Sequence, residues 1–309
     1  MSTQILSARN GARGVYTFTF DDGSIGQFQN AATVMAEHGL RGSFFLIGRT
    51  VNDSRNHPER FHVPQMLAAQ AMGHEIGSHT YTHTTPLSDL DEDGQRKEIA
   101  DNQSYLAKWG VKAMSFAYPF DKYNATTLSI IPEYARFARR VGTRFVLNNL
   151  EWDEAKRYEV KCSSSDCGHA IVETAIAGGK WCIGIFHEIG DTGKNNAAVF
   201  AEFVGWIAER VSAGDLWVAT FCEAMQYMQL RAGSTITESR PSAEVIRVSI
   251  KTTIQTDIPV PLTLKTETGA RLVVSVTQAW MEIPFHDDGQ HVMFDAIPNG
   301  GSVDIMFQA

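Results

Sequence analysis

Val15-Tyr16-Thr17-Phe18-Thr19-Phe20-Asp21-Asp22-Gly23 is the stretch that decides the fold. Its first six residues are all β-branched or aromatic, the composition of a strand. The run stops at two carboxylates and a glycine, which is turn chemistry. A strand with so few charged positions is buried on both faces, and such strands belong to parallel sheets covered by helices.

Working outward, the same alternation repeats. Helical spacing over 31–38 is followed by a second strand at 42–47, a helix at 66–72 and a short third strand at 75–78. A helix over 98–109 places Leu106 and Trp109 inward, and 113–118 reads as a strand stopped by Pro119. Strands at 143–150, 181–186 and 216–219 alternate with helices at 169–177 and 197–211. Some seven such units predict an α/β fold, a distorted (β/α)7-type barrel, whose chemistry lies at the C-terminal ends of the strands. Beyond Arg231-Ala232-Gly233-Ser234 the pattern becomes alternating and β-rich, with turns at Thr268-Gly269 and Pro298-Asn299-Gly300-Gly301. The expected division is a barrel over 1–235 and a small all-β, sandwich-like domain over 240–309.

Bulk composition narrows the partners. A net charge of -8 argues against a nucleic-acid partner, which calls for a basic face. The local cluster Arg136, Arg139, Arg140 and Arg144 reads as a solvated helix end and strand edge. No stretch has the roughly 18–20 apolar residues of a membrane span. No apolar signal region is visible at the start, so the chain as it stands reads as cytoplasmic, or as secreted or periplasmic if a signal was removed. Cys162 and Cys167 flank a loop where a disulfide is sterically feasible, while Cys182 and Cys222 sit in apolar runs as small buried hydrophobes.

Three features carry chemistry. Asp21-Asp22 places two carboxylates together at a strand end, where they repel unless a cation or proton relieves them; alone the pair reads as a turn. His79-Thr80-Tyr81-Thr82-His83 spaces two imidazoles at i and i+4, on one face of a helical turn and able to share an ion. No glutamate follows His79, so a base must come from elsewhere, and Asp21 is the candidate. His187 closes the apolar strand 181–186 and suits proton donation near neutrality; in isolation it reads as a core histidine.

Together these pieces resemble the polysaccharide deacetylases of carbohydrate esterase family 4, the NodB-homology domain. The matching segments are Thr19-Phe20-Asp21-Asp22-Gly23, Gly73-His74-Glu75-Ile76-Gly77-Ser78-His79-Thr80-Tyr81-Thr82-His83, Phe116-Ala117-Tyr118-Pro119-Phe120 and Ile185-Phe186-His187, in family order over roughly 14–230. The resemblance implies a divalent metal held by Asp22, His79 and His83, Asp21 as general base and His187 as general acid. Zinc suits that donor set first, with cobalt, nickel or manganese as alternatives; it lowers the pKa of bound water toward ~7. The implied substrate is an acetylated carbohydrate, with a backbone N–H at Phe120 facing the reacting oxygen. Tyr118, Phe120, Tyr123 and Trp152 are candidates for a sugar platform, and His74 reads as a structural hydrogen-bonding residue.

Two departures stand out. The family's third motif carries an arginine that holds the base, and Ala117 occupies that position. The fourth places an aspartate before a tryptophan to tune the catalytic histidine; Glu151-Trp152 is the nearest match, with Asp153 a rival. The leading expectation is a deacetylase of N-acetylated sugars. An acetyl xylan-type esterase and a catalytically weak carbohydrate-binding protein are the alternatives. The β domain can bind sugar, pack on the barrel or mediate homo-oligomers.

Overall fold

A computed structural model describes residues 2–53, 55–143, 145–163, 168–190, 195–256 and 259–308. Arg144 and Cys167 lie outside these, and with them the Cys162–Cys167 disulfide that the sequence leaves sterically feasible. The chain divides into two compact units. One comprises Gly14–Asn149 and Asp153–Ala224; the other combines the N-terminal segment through Arg13 with Leu150–Trp152 and Met225–Ala309.

The first unit is a barrel-like sheet. Its strands are β1 (Gly14–Asp21), β2 (Gly42–Leu46), β3 (Glu75–Ser78), β4 (Ser115–Ala117), β5 (Phe137–Val141), β6 (Val160–Cys162), β7 (Trp181–Phe186) and β8 (Leu216–Val218). β1 through β6 run parallel in sequence order, and β7 returns to pair with β1. The ring closes where Ser163 bridges to Gly184, the Ser163 N–H donating to the Ile183 carbonyl at 3.0 Å. β8 lies parallel to the N-terminal half of β1, from Gly14 to Tyr16, where β2 has not yet begun. All eight residues of β1 are buried, as its composition requires. Phe20 stacks on Phe44 at 4.5 Å and on Phe186 at 5.4 Å, so adjacent strands share one aromatic layer beneath the helices. Burying each such ring contributes on the order of 1.5–3 kcal/mol.

Three sequence expectations need correction here. β5 occupies Phe137–Val141, where the arginines were read as solvated; among the described residues of the expected strand at 143–150, only the short Leu147–Asn148 forms, antiparallel to β7. Trp109 is 43% exposed as the residue after helix Glu92–Lys108, while Leu106 is buried as expected. His79–His83 is irregular loop rather than a helical turn, with Thr80 and His83 at φ 63° and 52°.

His74 sits inside the barrel wall as a structural residue. Its Nδ1 accepts from the Gly42 N–H at 3.1 Å, and its Nε2 meets the Ala32 carbonyl at 3.0 Å. Burial drives its pKa from 6.5 down to about 4, so the folded chain holds it neutral. The unfolded chain binds this proton more readily, so the stabilisation is full above pH 6.5 and is lost as pH falls toward 4. Urea denaturation at pH 7 and pH 5 is expected to show a loss of about 2 kcal/mol in the wild type, reduced in His74→Gln. An identical pH dependence in both proteins would remove His74 as its source.

The second unit is an antiparallel sandwich. One sheet orders Thr3–Ile5, Leu262–Glu267, His291–Ala296 and Phe285–Asp287; the other orders Ser234–Ser242, Val245–Thr252, Val303–Phe307, Val273–Gln278 and Met281–Glu282. Period-two alternation buries Ile246, Val248 and Ile250 from one strand and Val292, Phe294 and Ala296 from another. The N-terminal strand pairs Thr3–Ile5 with Leu264–Thr266, so this segment belongs with the sandwich and not with the barrel.

Candidate metal centre and active site

The turn after β1 sets the site. Asp21 ends the strand with 3% exposure, and Asp22 and Gly23 follow at φ 70° and 69°. This left-handed turn, which a short aspartate tolerates, sends consecutive carboxylates in different directions. Asp22 Oδ1 lies 3.5 Å from His79 Nε2 and 3.7 Å from His83 Nε2. Among the described residues these three form a cluster whose candidate ligand atoms lie within 4.8 Å of one another, close enough for one metal ion.

The donor chemistry fits a divalent cation. His79 Nδ1 is 2.8 Å from the Ala117 carbonyl, a bond that places a ring proton on Nδ1 and makes Nε2 the ring nitrogen facing Asp22. One carboxylate and two imidazoles make the mixed O/N set that zinc and its neighbours accept. Burial would raise the Asp22 pKa, but the His79 hydrogen bond and the charges of His79, His83 and His187 outweigh it and hold the group well below the usual range. Burial, followed by the His79 charge, lowers His83 to about 4, so it is a neutral donor at pH 7. For His79 burial is again the largest influence, yet Asp21 and Asp22 prevail and raise its pKa.

Asp21 turns away from this cluster. Its Oδ1 pairs with Arg139 Nη2, and Arg139 is only 1% exposed. Burial opposes the guanidinium charge, but Asp21 overcomes it and raises the Arg139 pKa. Arg139 also lies over the Phe45 ring at 4.5 Å. In the sheet register Ala117 is the direct partner of Arg139. The arginine missing at position 117 is therefore supplied one strand over, at the same height. The expectation that Arg139 is solvated, and that Asp21 lacks a cation, is corrected; the signal lay in its inward position within a strand that its charges disguised.

Gln27 was not singled out in the sequence, where a buried glutamine in a helical run has no signature. It is fully buried, and its Nε2 donates to the Asp21 carbonyl at 2.5 Å and to the His187 carbonyl at 2.6 Å. One amide thus fastens the backbone of Asp21 to that of His187. Gln27→Leu is expected to cost about 1–3 kcal/mol for each orphaned carbonyl, read by urea unfolding, and to lower kcat more than it raises KM. Wild-type kcat in this variant would separate Gln27 from the site. Arg60 was also missed; its Nη1 donates to the Asp22 carbonyl at 3.3 Å.

The remaining candidates disperse. His187 is exposed at the end of β7, near enough for its charge to act on Asp22. Phe120 is 52% exposed, and its ring lies 4.4 Å from that of His83. Tyr118 is not at the mouth: strand alternation turns it to the outer face with Phe116, it is 3% exposed, and its hydroxyl donates to the Tyr158 carbonyl at 2.9 Å. Tyr123 stacks on Tyr118 at 4.3 Å and bonds to Glu159. Neither expected tuner of His187 is placed on it. Asp153 pairs with Lys156 at 2.7 Å and caps the Ala155 N–H. Glu151 pairs with Arg231 at 3.2 Å, and it and Trp152 fall in the second unit.

Residues 8–135 match the polysaccharide deacetylase family. A gellan lyase from Bacillus sp. is 25% identical over 95% of this chain, which spans 13% of that protein. The putative polysaccharide deacetylase YxkH of Bacillus subtilis strain 168 is 30% identical over 36% of the chain, and the chain covers 38% of its length. In solved structures, a putative polysaccharide deacetylase from Mycobacterium smegmatis superposes with a TM-score of 0.56 at 18% identity, over 77% of this chain and 98% of that one, a likeness of fold. The segment similar to the polysaccharide deacetylase family thus lies mostly within the barrel of the first unit.

Proposed function

We propose that the chain is a metal-dependent hydrolase removing acetyl groups from an acetylated carbohydrate, with an N-acetyl amino sugar polymer as the first choice of substrate. The observation that carries this reading is the division of the adjacent carboxylates: Asp22 with His79 and His83, Asp21 with Arg139. Asp22, His79 and His83 would hold one divalent cation, zinc in the first instance, which when bound polarises the acetyl carbonyl and acidifies water. Asp21, oriented by Arg139, takes the proton from the attacking water. His187, whose backbone Gln27 fastens to that of Asp21, returns a proton to the departing amine or hydroxyl. Phe120 borders His83 and is the residue whose N–H would face the developing oxyanion. Glu151, Asp153 and Tyr118 have no part in this scheme.

The alternative of a catalytically weak carbohydrate-binding protein, with a degenerate barrel and the β domain as binder, loses support because Arg139 supplies a cation to Asp21 from the strand beside Ala117. Ester cleavage uses the same groups and is the second reading. Acetate release by zinc- or cobalt-loaded protein from chitin oligomers and from acetylated xylan tests both. Release from chitin oligomers supports the amide reading, release from xylan alone selects the esterase, and release from neither overturns the proposal.

A further inference from the structure

In the sandwich unit, strands Val273–Gln278 and Met281–Glu282 pair through Gln278 and Met281, leaving Ala279 and Trp280 as a two-residue turn. Both residues are in the left-handed region, at φ 49° and 71°. Asn-Gly or Gly-Gly satisfies such a turn without strain, whereas alanine and tryptophan are disfavoured there. Trp280 is 95% exposed, the most exposed large apolar side chain among the described residues. The sequence therefore accepts a strained backbone and an uncovered indole together, a combination that points to a use for the ring.

The turn is held rigidly. The Ala279 N–H donates to the Ser302 carbonyl at 3.3 Å. Gln278 Nε2 donates to the Ile297 carbonyl at 2.8 Å, and its Oε1 accepts from the Ile297 N–H at 3.0 Å. A ring presented on a fixed base loses little further freedom on binding.

The surroundings select the ligand. Residues 277–283 contain Thr277, Gln278 and Glu282 and no lysine or arginine, which disfavours an anionic membrane surface. Within 277–283 the exposed large apolar side chains are Trp280 and Met281, a pair too small for the contiguous patch of a stable protein interface. A flat apolar ring with hydroxyl, amide and carboxylate neighbours matches the two-sided chemistry of a pyranose, whose C–H face stacks and whose hydroxyls hydrogen-bond.

We propose that Trp280 is a stacking platform for a sugar ring of a neutral polysaccharide, so that the sandwich unit binds the polymer directly. The choice of ligand rests on the reading of the barrel as a carbohydrate deacetylase. Tethering through a second site raises the effective concentration of polymer without altering the chemistry.

The test uses the full chain, with W280A and W280F beside wild type, in affinity electrophoresis over soluble acetylated xylan and in pull-down on insoluble chitin. Turnover of p-nitrophenyl acetate reports the barrel separately. Expected are retention of wild type by at least one polymer, near-normal retention of W280F, and binding about tenfold weaker in W280A with unchanged ester turnover. Equal retention of W280A and wild type overturns the proposal. So does failure of both polymers to retain wild type, including the case where W280A loses only self-association or binding to phosphatidylcholine vesicles. Absence of ester turnover in all three proteins counts against the catalytic reading of the barrel and leaves the retention result to decide the platform.

Discussion

Asp21→Asn is expected to keep its metal and lose about 10²–10⁴-fold in turnover, the usual contribution of a positioned general base. Asparagine matches the shape of the carboxylate but accepts no proton at neutral pH. Metal retention follows from the geometry, because Asp21 engages Arg139 and is not among the clustered ligand atoms. His79→Ala is expected to lose both metal and activity: it removes one of three ligands and leaves the Ala117 carbonyl without its imidazole partner. Metal analysis of the purified proteins beside acetate release separates the two. Equal metal loss in both variants contradicts the division of labour.

The second large effect concerns Arg139. Arg139→Met leaves Asp21 as a buried carboxylate without its cation, and breaking a pair of this kind by removing one partner costs about 3–5 kcal/mol. Urea unfolding is expected to show that loss, and acetate release to fall with it. The register makes a sharper experiment available. Ala117 and Arg139 are paired positions on neighbouring strands, about 4.8 Å apart in the hydrogen-bonding direction. Ala117→Arg in the Arg139→Ala background moves the guanidinium across one strand and is expected to recover part of the stability and turnover. Failure of the double variant to exceed Arg139→Ala would show that Asp21 requires the cation from β5 specifically.

The legible parts of the molecule were those where local chemistry and tertiary placement agree. The β1 run and the carboxylates that end it gave the barrel and the placement of Asp21, because every residue in it favours a buried strand. His79 and His83 were legible as a pair, although by way of an irregular loop and not the helical turn that their spacing invites. Arg139 was illegible because strand rules penalise charge, and its Asp21 partner is far away in sequence. Tyr118 misled for the opposite reason: it lies beside Pro119 in a recognisable motif, but alternation along β4 turns Ala117 inward and Tyr118 out. Glu151 and Asp153 were assigned by order along the chain, while their geometry gives them to Arg231 and Lys156.

The closure of the ring at Ser163 and Gly184 has a mechanical consequence. Most neighbouring strands share several registered residues; β3 meets β4 through one registered pair, and among the described residues β6 meets β7 through a single bridge. Opening that seam sacrifices one or two hydrogen bonds and leaves the aromatic layer of β1, β2 and β7 packed. Local opening follows the cheapest route, so amide exchange is expected to start at Ser163 long before it reaches Phe18, Thr19 and Phe20. The barrel thus behaves as a hoop with a clasp: stiff across the strand that bears Asp21, and compliant at the strand beside Arg139.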